Sequence, residues 1–180
     1  MRRRAFLALS AAALAAPARA ETTAHAFSFE AIEGGPLPLS DFAGRVLLIA
    51  NTASRCGFTY QYDALQTVWT RYRERGLTVL GVPSNDFRQE LADEAAVKDF
   101  CETNFAIDFP MTAITHVAGE NAHPFYAWAR ERLGADAAPR WNFHKYVVDG
   151  EGRLVGAFGT GVEPTQREVL ETIERHLPAV

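Results

Sequence analysis

Apolar residues form nearly continuous runs in some parts of this 180-residue chain and spaced stripes in others. The segments Arg45–Asn51 and Leu77–Val82 are almost continuously apolar, which is typical of strands buried on both faces of a sheet. The segment Ala26–Ile32 alternates apolar and polar residues up to a Gly34-Gly35 turn, which predicts the arm of a hairpin. Pro110 to Ile114 is predicted as a further short strand.

Four stripes with helical spacing and one hairpin pattern complete the prediction. The first helix begins near Tyr60 and stops at Gly76, and a capping box at Thr165–Glu168 is expected to start the last one. The stripes are Tyr62, Leu65, Trp69 and Tyr72; Val97, Phe100, Cys101 and Phe105; Phe125, Trp128 and Ala129 within His123–Leu133; and Val169, Ile173 and Leu177, while Tyr146–Val148 and Leu154–Phe158 flank the turn Asp149–Gly152.

The order of these elements is strand, helix, strand, helix, two hairpin strands and helix. Parallel strands need helical crossovers and the last hairpin is antiparallel, so the sheet is mixed. We therefore predict an α/β protein with a thioredoxin-like fold, a mixed central sheet and helices on both faces. No repeat or linker follows residue 25, which indicates a single domain over residues 24–180. This fold hosts many functions and does not by itself identify one.

Residues 1–20 have the pattern of an export signal. Arg2, Arg3 and Arg4 precede an apolar run from residue 5 to 16, which is too short to span a membrane, and Ala18-Arg19-Ala20 resembles a cleavage site. Arg3-Arg4 followed by Ala5-Phe6-Leu7 resembles the twin-arginine signal, with an ordinary secretory signal as the alternative. Either signal predicts a mature protein outside the cytoplasm, in a bacterial periplasm.

Charge and residue counts exclude several classes of partner. The formal net charge is −4, and all four charged residues among the first twenty are arginines, so the remainder is more acidic. This argues against binding to nucleic acid or an anionic membrane. The five histidines lack metal-ligand spacing and no phosphate loop is present, so no metal or cofactor is expected. In an oxidising compartment, the two cysteines, Cys56 and Cys101, could form a structural disulfide.

Cys56 is also a candidate nucleophile. It follows a predicted buried strand and precedes a predicted helix, at the edge of an α/β sheet where ligands bind. Helix N-termini favour a thiolate, and Arg55 adds positive charge. Thr59 and Tyr60 stand where a dithiol carrier would place its second cysteine, which weakens the carrier hypothesis.

Four blocks in order resemble the glutathione-peroxidase-like family. Together they extend the resemblance from about Phe27 to the C-terminus. The blocks are Asn51–Thr59 with Gln61, Tyr62 and Leu65; Gly81–Phe87 with Gln89 and Glu90; Phe109–Met111; and Trp141–Phe143 with Lys145.

The resemblance implies a peroxidase in which Cys56 attacks the peroxide and becomes a sulfenic acid. The family's Gln, Trp and Asn map onto Gln89, Trp141 and Asn142, whose N–H groups would stabilise the thiolate and the departing oxygen. The family usually has two residues, often Gly-Gly, between its Phe and Gln, whereas only Arg88 stands there in this chain. The sequence leaves open whether Gln89 reaches the sulfur from this shorter loop.

Cys101 resembles the resolving cysteine of the thioredoxin-dependent branch. It would form a disulfide with Cys56 after local unfolding of its helix, and a thioredoxin-like donor would reduce that disulfide. The short segment Gly134–Arg140 lacks the insertion of tetrameric, glutathione-using relatives, which implies a monomer and makes glutathione the weaker reductant. Two alternatives stay open: a periplasmic thiol–disulfide oxidoreductase, and a non-enzymatic redox sensor with a structural disulfide.

Overall fold

The computed structural model describes residues 21–179, so the predicted export signal at residues 1–20 lies outside the described residues. No helix in the described part is long and apolar enough to cross a membrane. The strands are β1 (Ser28–Glu30), β2 (Pro36–Pro38), β3 (Val46–Thr52), β4 (Leu77–Pro83), β5 (Lys145–Val148) and β6 (Leu154–Phe158), and the α-helices are α1 (Gln61–Tyr72), α2 (Glu94–Phe105), α3 (Pro124–Leu133) and α4 (Arg167–His176).

Four strands form the central sheet in the order β4-β3-β5-β6. Strands β3 and β4 run parallel with Val46 opposite Leu77, while β5 is antiparallel to both β3 and β6. Every residue of β3 and β4 is buried, as their continuous apolar runs predict. Strands β1 and β2 form a separate two-stranded hairpin.

Alternate residues of the central strands face two different layers of the core. Leu48 and Val79 pack with α1, α2 and α4 on one face. Leu47 and Leu80 pack with α3 and the β1–β2 hairpin on the other face. Helices therefore cover both faces of a mixed sheet, which confirms the predicted architecture.

One edge of the sheet brings three loops together. Thr52, the last residue of β3, lies opposite Pro83, the last residue of β4, and Ala50 lies opposite Lys145, the first residue of the antiparallel β5. The segments that follow β3, follow β4 and precede β5 consequently meet at this edge. They are the segments that carry Cys56, Gln89 and Trp141-Asn142.

Two local predictions were wrong. Residues 110–114 form two isolated bridges, Gly81 with Met111 and Ala31 with Thr112, because the segment bonds alternately to β4 and to the β1 hairpin and forms no continuous ladder. Thr165 does not cap α4: Gln166 is the N-cap residue, without a side-chain cap, and its carbonyl oxygen accepts the first free amide groups. The helix and its buried face were predicted correctly.

Candidate active site

Cys56 lies in a tight loop between β3 and α1, with 7 % of its surface exposed. The backbone N–H of Phe58 donates to its sulfur at 3.4 Å. The Thr59 hydroxyl donates to the Cys56 carbonyl oxygen at 2.6 Å, which fixes the turn before α1. The loop thus holds the thiol just below the surface, with a backbone N–H group directed at the sulfur.

Gln89 reaches this loop despite the missing residue before it. Its carbonyl oxygen accepts the N–H of Arg55 at 2.8 Å, directly beside Cys56. Arg88 adopts a left-handed conformation with φ 58°, which an L-residue adopts only at a cost in free energy. The backbone of Gln89 thus contacts the residue before Cys56, while its side chain bonds to Asn142 and not to the sulfur.

Asn142 is fully buried and its amide donates to Gln89 Oε1 at 2.9 Å. Its own Oδ1 is buried and has no hydrogen-bond partner among residues 21–179. The next residue, Phe143, is also left-handed, with φ 61°. A residue with strained backbone therefore stands next to each of the two amide residues, Arg88 before Gln89 and Phe143 after Asn142.

Trp141 lies at the surface of the same edge. Its indole is 40 % exposed and packs on Phe87, with ring centroids 5.5 Å apart. Its carbonyl oxygen accepts the Asn51 amide at 3.2 Å, which ties the segment to β3. Among residues 21–179 the hydrogen bond to the Cys56 sulfur comes from Phe58, so the expected donation from Gln89, Trp141 and Asn142 is absent from this reduced state.

Cys101 is fully buried in the middle of α2, and both cysteines are free thiols. Burial raises the pKa of the Cys101 thiol to about 11, with the carboxylates of Glu90 and Glu102 adding to the rise. The Tyr62 hydroxyl lies beside this thiol and partly opposes the shift, without a hydrogen bond of normal geometry. In the folded helix, Cys101 is therefore out of contact with solvent and has a pKa above its ordinary value.

The family model for glutathione peroxidase matches residues 24–130. A hydroperoxy fatty acid reductase of Synechocystis is 41 % identical over 169 residues, which cover 89 % of this chain and 99 % of the relative. A glutathione peroxidase-like peroxiredoxin of Saccharomyces cerevisiae, HYR1, is 34 % identical over 82 % of this chain and 92 % of its own.

The chain belongs to the glutathione peroxidase family.

Solved structures agree with this membership. The crystal structure of Trypanosoma cruzi GPX1 is similar with a TM-score of 0.66 and 32 % identity over 86 % of this chain and 94 % of that chain. A thioredoxin-family thiol:disulfide interchange protein of Chlorobium tepidum has a TM-score of 0.63 at 20 % identity, covering 91 % of this chain and 100 % of that chain, a likeness of fold alone. The predicted thioredoxin-like fold and the predicted family are confirmed, and the chain is a peroxidase.

Two buried charged side chains, Glu90 and Lys145, belong to the family's sequence blocks, but the sequence predicted no role for either of them. Glu90 accepts the Ser54 N–H at 2.9 Å beneath the Cys56 loop. Lys145 is fully buried and donates to Gln61 Oε1 at 3.0 Å, and burial lowers its pKa to about 7. Their positions within the blocks were the one available signal, because a sequence does not show which charged residues become buried.

Proposed function

We propose that this chain is a thiol peroxidase that reduces hydrogen peroxide and organic hydroperoxides through Cys56. The Cys56 thiolate attacks one peroxide oxygen and forms an S–O bond while the O–O bond breaks. The departing oxygen takes up a proton and leaves as water or an alcohol, and Cys56 becomes a sulfenic acid. The observation that carries the proposal is that Gln89 and Asn142 are bonded to each other beside the Cys56 loop.

The second step assigns Cys101 as the resolving cysteine. Its thiol sulfur attacks the Cys56 sulfenic acid, a disulfide forms, and the thiol proton leaves with the hydroxyl group as water. Since Cys101 is fully buried and its pKa is raised, the step requires α2 to open locally. Both cysteines are free in the described structure, which is consistent with a disulfide that forms only during turnover.

The reductant is proposed to be a thioredoxin-like protein. Relatives in Schizosaccharomyces pombe and Chlamydomonas reinhardtii are named glutathione peroxidase-like peroxiredoxins, at 35 % and 36 % identity. A dithiol donor suits an intramolecular disulfide because its second thiol releases the mixed disulfide. Glutathione is the weaker option.

Two pairs of aromatic side chains lie in the loops of the site, and we propose that they suit organic hydroperoxides. We call Phe58, Tyr60, Phe87 and Trp141 the aromatic rim. Tyr60 is 50 % exposed and stands 6.2 Å from the Phe58 ring, and Phe87 packs on Trp141. Exposed aromatic surface beside a reactive group favours apolar ligands. The name of the Synechocystis relative, hydroperoxy fatty acid reductase, supports a fatty acid hydroperoxide as one substrate.

A coupled assay tests this function. Peroxide-dependent oxidation of NADPH is measured with thioredoxin and thioredoxin reductase, and in parallel with glutathione and glutathione reductase. We expect turnover of hydrogen peroxide, cumene hydroperoxide and a fatty acid hydroperoxide with thioredoxin, little with glutathione, and none in Cys56→Ser. Rapid oxidation of reduced unfolded proteins without peroxide turnover would instead favour a thiol–disulfide oxidoreductase.

We further propose that the protein is exported and works as a monomer. Support for export is the arginine-rich start, the apolar run and the Ala18-Arg19-Ala20 segment. Replacing Arg3 and Arg4 by lysines should block a twin-arginine route and leave an ordinary secretory route active, which cell fractionation distinguishes. Light scattering of the purified mature chain should give the mass of one copy.

A further inference from the structure

The loop that carries Cys56 depends on one neighbouring segment for its position. Within residues 21–179, two backbone N–H groups of the loop Ser54–Phe58 bond to another segment. The N–H of Ser54 donates to Glu90 Oε1 at 2.9 Å, and the N–H of Arg55 donates to the Gln89 carbonyl oxygen at 2.8 Å. Two adjacent residues, Gln89 and Glu90, thus accept hydrogen bonds from two adjacent residues of the Cys56 loop.

Glu90 occupies an unfavourable place for a carboxyl group. It is 6 % exposed and forms no salt bridge within residues 21–179, and burial raises its pKa, a rise that the charge of Arg55 only partly offsets. One oxygen accepts the N–H groups of Ser54 and Leu91, the latter at 2.8 Å, while the other is buried and has no hydrogen-bond partner in the described part of the chain. Burial without an ion pair costs free energy. In this buried position, the Glu90 carboxylate accepts a hydrogen bond from the Cys56 loop.

The same segment reaches the third loop of the site. The side chain of Gln89 accepts the Asn142 amide, so the Gln89-Glu90 pair connects the Cys56 loop to the loop before β5. Asn85 Oδ1 accepts the Glu90 N–H at 3.2 Å, which fixes the pair relative to β4. Movement of the Glu90 side chain would therefore change the distance between Cys56 and the two amides.

We propose that Glu90 is a positioning residue for the peroxide reaction, whose carboxyl oxygen holds the Cys56 loop in register with Gln89 and Asn142. The proposal rests on the proposed function of Cys56. Small displacements matter because the rate depends on the alignment of the sulfur with the peroxide and its hydrogen-bonding groups, and a shift of about 1 Å can cost about a hundredfold in rate.

Three substitutions separate position from charge. Glu90→Gln keeps an acceptor oxygen at the same reach and removes the charge. Glu90→Asp keeps the charge and withdraws the oxygen by one methylene, and Glu90→Ala removes the acceptor. Glu131→Ala is the matched control, because Glu131 is an exposed glutamate on α3, on the opposite face of the sheet from α1 and α2.

Two rate constants are measured on the Cys56 peptide by quenched flow and mass spectrometry, one for hydrogen peroxide and one for iodoacetamide. Alkylation needs a thiolate but not the amides of Gln89 and Asn142, so the ratio of the two constants reports alignment and not general loss of structure. We expect the ratio to fall at least tenfold in Glu90→Ala and Glu90→Asp, and to stay within about threefold of wild type in Glu90→Gln and Glu131→Ala.

An unchanged ratio in Glu90→Asp would overturn the proposal, even if Glu90→Ala does not fold. A tenfold loss in Glu90→Gln as well would also overturn it, because charge rather than position would then be responsible. If wild-type Cys56 itself fails to react with peroxide, the proposed function is wrong, and that result is distinct from an inert Glu90 in a reactive enzyme.

Discussion

Local opening of α2 is expected to limit disulfide formation, and the ends of this helix provide the means to test it. Asp93 caps the N-terminus of α2, where its side chain accepts the Ala96 N–H at 2.9 Å. Ala106 ends the helix in a left-handed conformation with φ 49°. Neither side chain belongs to the site, yet both affect the free energy of opening α2.

The magnitude follows from the structure. The pKa of the Cys101 thiol rises from an ordinary 9.0 to about 11 on burial, so opening α2 increases its thiolate fraction about a hundredfold near neutral pH. Losing the cap in Asp93→Ala costs the helix about 1 kcal/mol. The open population, and with it the rate of disulfide formation, should rise about fivefold. Ala106→Gly relieves about 1 kcal/mol of left-handed strain and should slow the step by a similar factor.

The assay separates the two chemical steps. After one equivalent of hydrogen peroxide, samples are quenched in acid and the Cys56 sulfenic acid and the Cys56–Cys101 disulfide are counted by mass spectrometry. The rate of the peroxide step should be unchanged in Asp93→Ala and Ala106→Gly. The rate of disulfide formation should rise in Asp93→Ala and fall in Ala106→Gly. His123→Ala is the control, since it removes the side-chain cap of α3, a helix that carries neither cysteine.

If Asp93→Ala lowers the unfolding free energy of the protein by the expected amount but leaves the rate of disulfide formation unchanged, α2 opening does not limit the step. Acceleration by His123→Ala to the same extent would show that global and not local unfolding is responsible.

Three further predictions concern the site and the residues beneath it. Asn142→Ala removes the donor to Gln89 Oε1 and should lower the second-order rate constant for peroxide at least tenfold in stopped-flow measurements; an unchanged constant would exclude a role for the amide. Trp141→Ala removes part of the aromatic rim and should reduce kcat/KM for a fatty acid hydroperoxide more than for hydrogen peroxide, whereas an equal loss would argue against apolar substrate contacts. Burial lowers the pKa of Lys145 from 10.5 to about 7. Between these two values the folded protein holds a neutral amine and the unfolded chain a charged one, so unfolding takes up a proton. The free energy of unfolding should therefore rise with pH across this window, by up to about 1.4 kcal/mol per pH unit. Urea denaturation at pH 7.5 and 9.5 should show that Lys145→Met reduces this slope, and an identical slope in both proteins would contradict the assignment.

The central sheet was predictable because its strands follow simple rules. An unbroken apolar run such as 46–50 fits a strand covered on both faces, and the predicted stop at Gly76 is a left-handed glycine, which is common at helix ends. Residues 110–114 could not be assigned correctly from their sequence, because their two bonding partners, β4 and the β1 hairpin, are distant in the chain.

The site was predictable in its members but not in its connections. Cys56, Gln89, Trp141 and Asn142 were assigned from the motif blocks, and the structure brings their loops to one edge of the sheet. The backbone contact of Gln89 with Arg55 follows a left-handed Arg88, and a left-handed arginine is not predictable from its sequence. The role of Glu90 was not visible either, because burial of a charged loop residue is a property of the folded chain.

Trapping of the oxidised intermediate shows whether Cys56 is the residue that reacts with peroxide. Reduced wild type, Cys56→Ser and Cys101→Ser are each treated with one equivalent of hydrogen peroxide, labelled with a sulfenic-acid reagent and mapped by mass spectrometry. Peroxidase chemistry at Cys56 should give a labelled Cys56 in Cys101→Ser, an intramolecular Cys56–Cys101 disulfide in wild type and no modification of Cys101 in Cys56→Ser. Two unreacted thiols in the peroxide-treated wild type would contradict it.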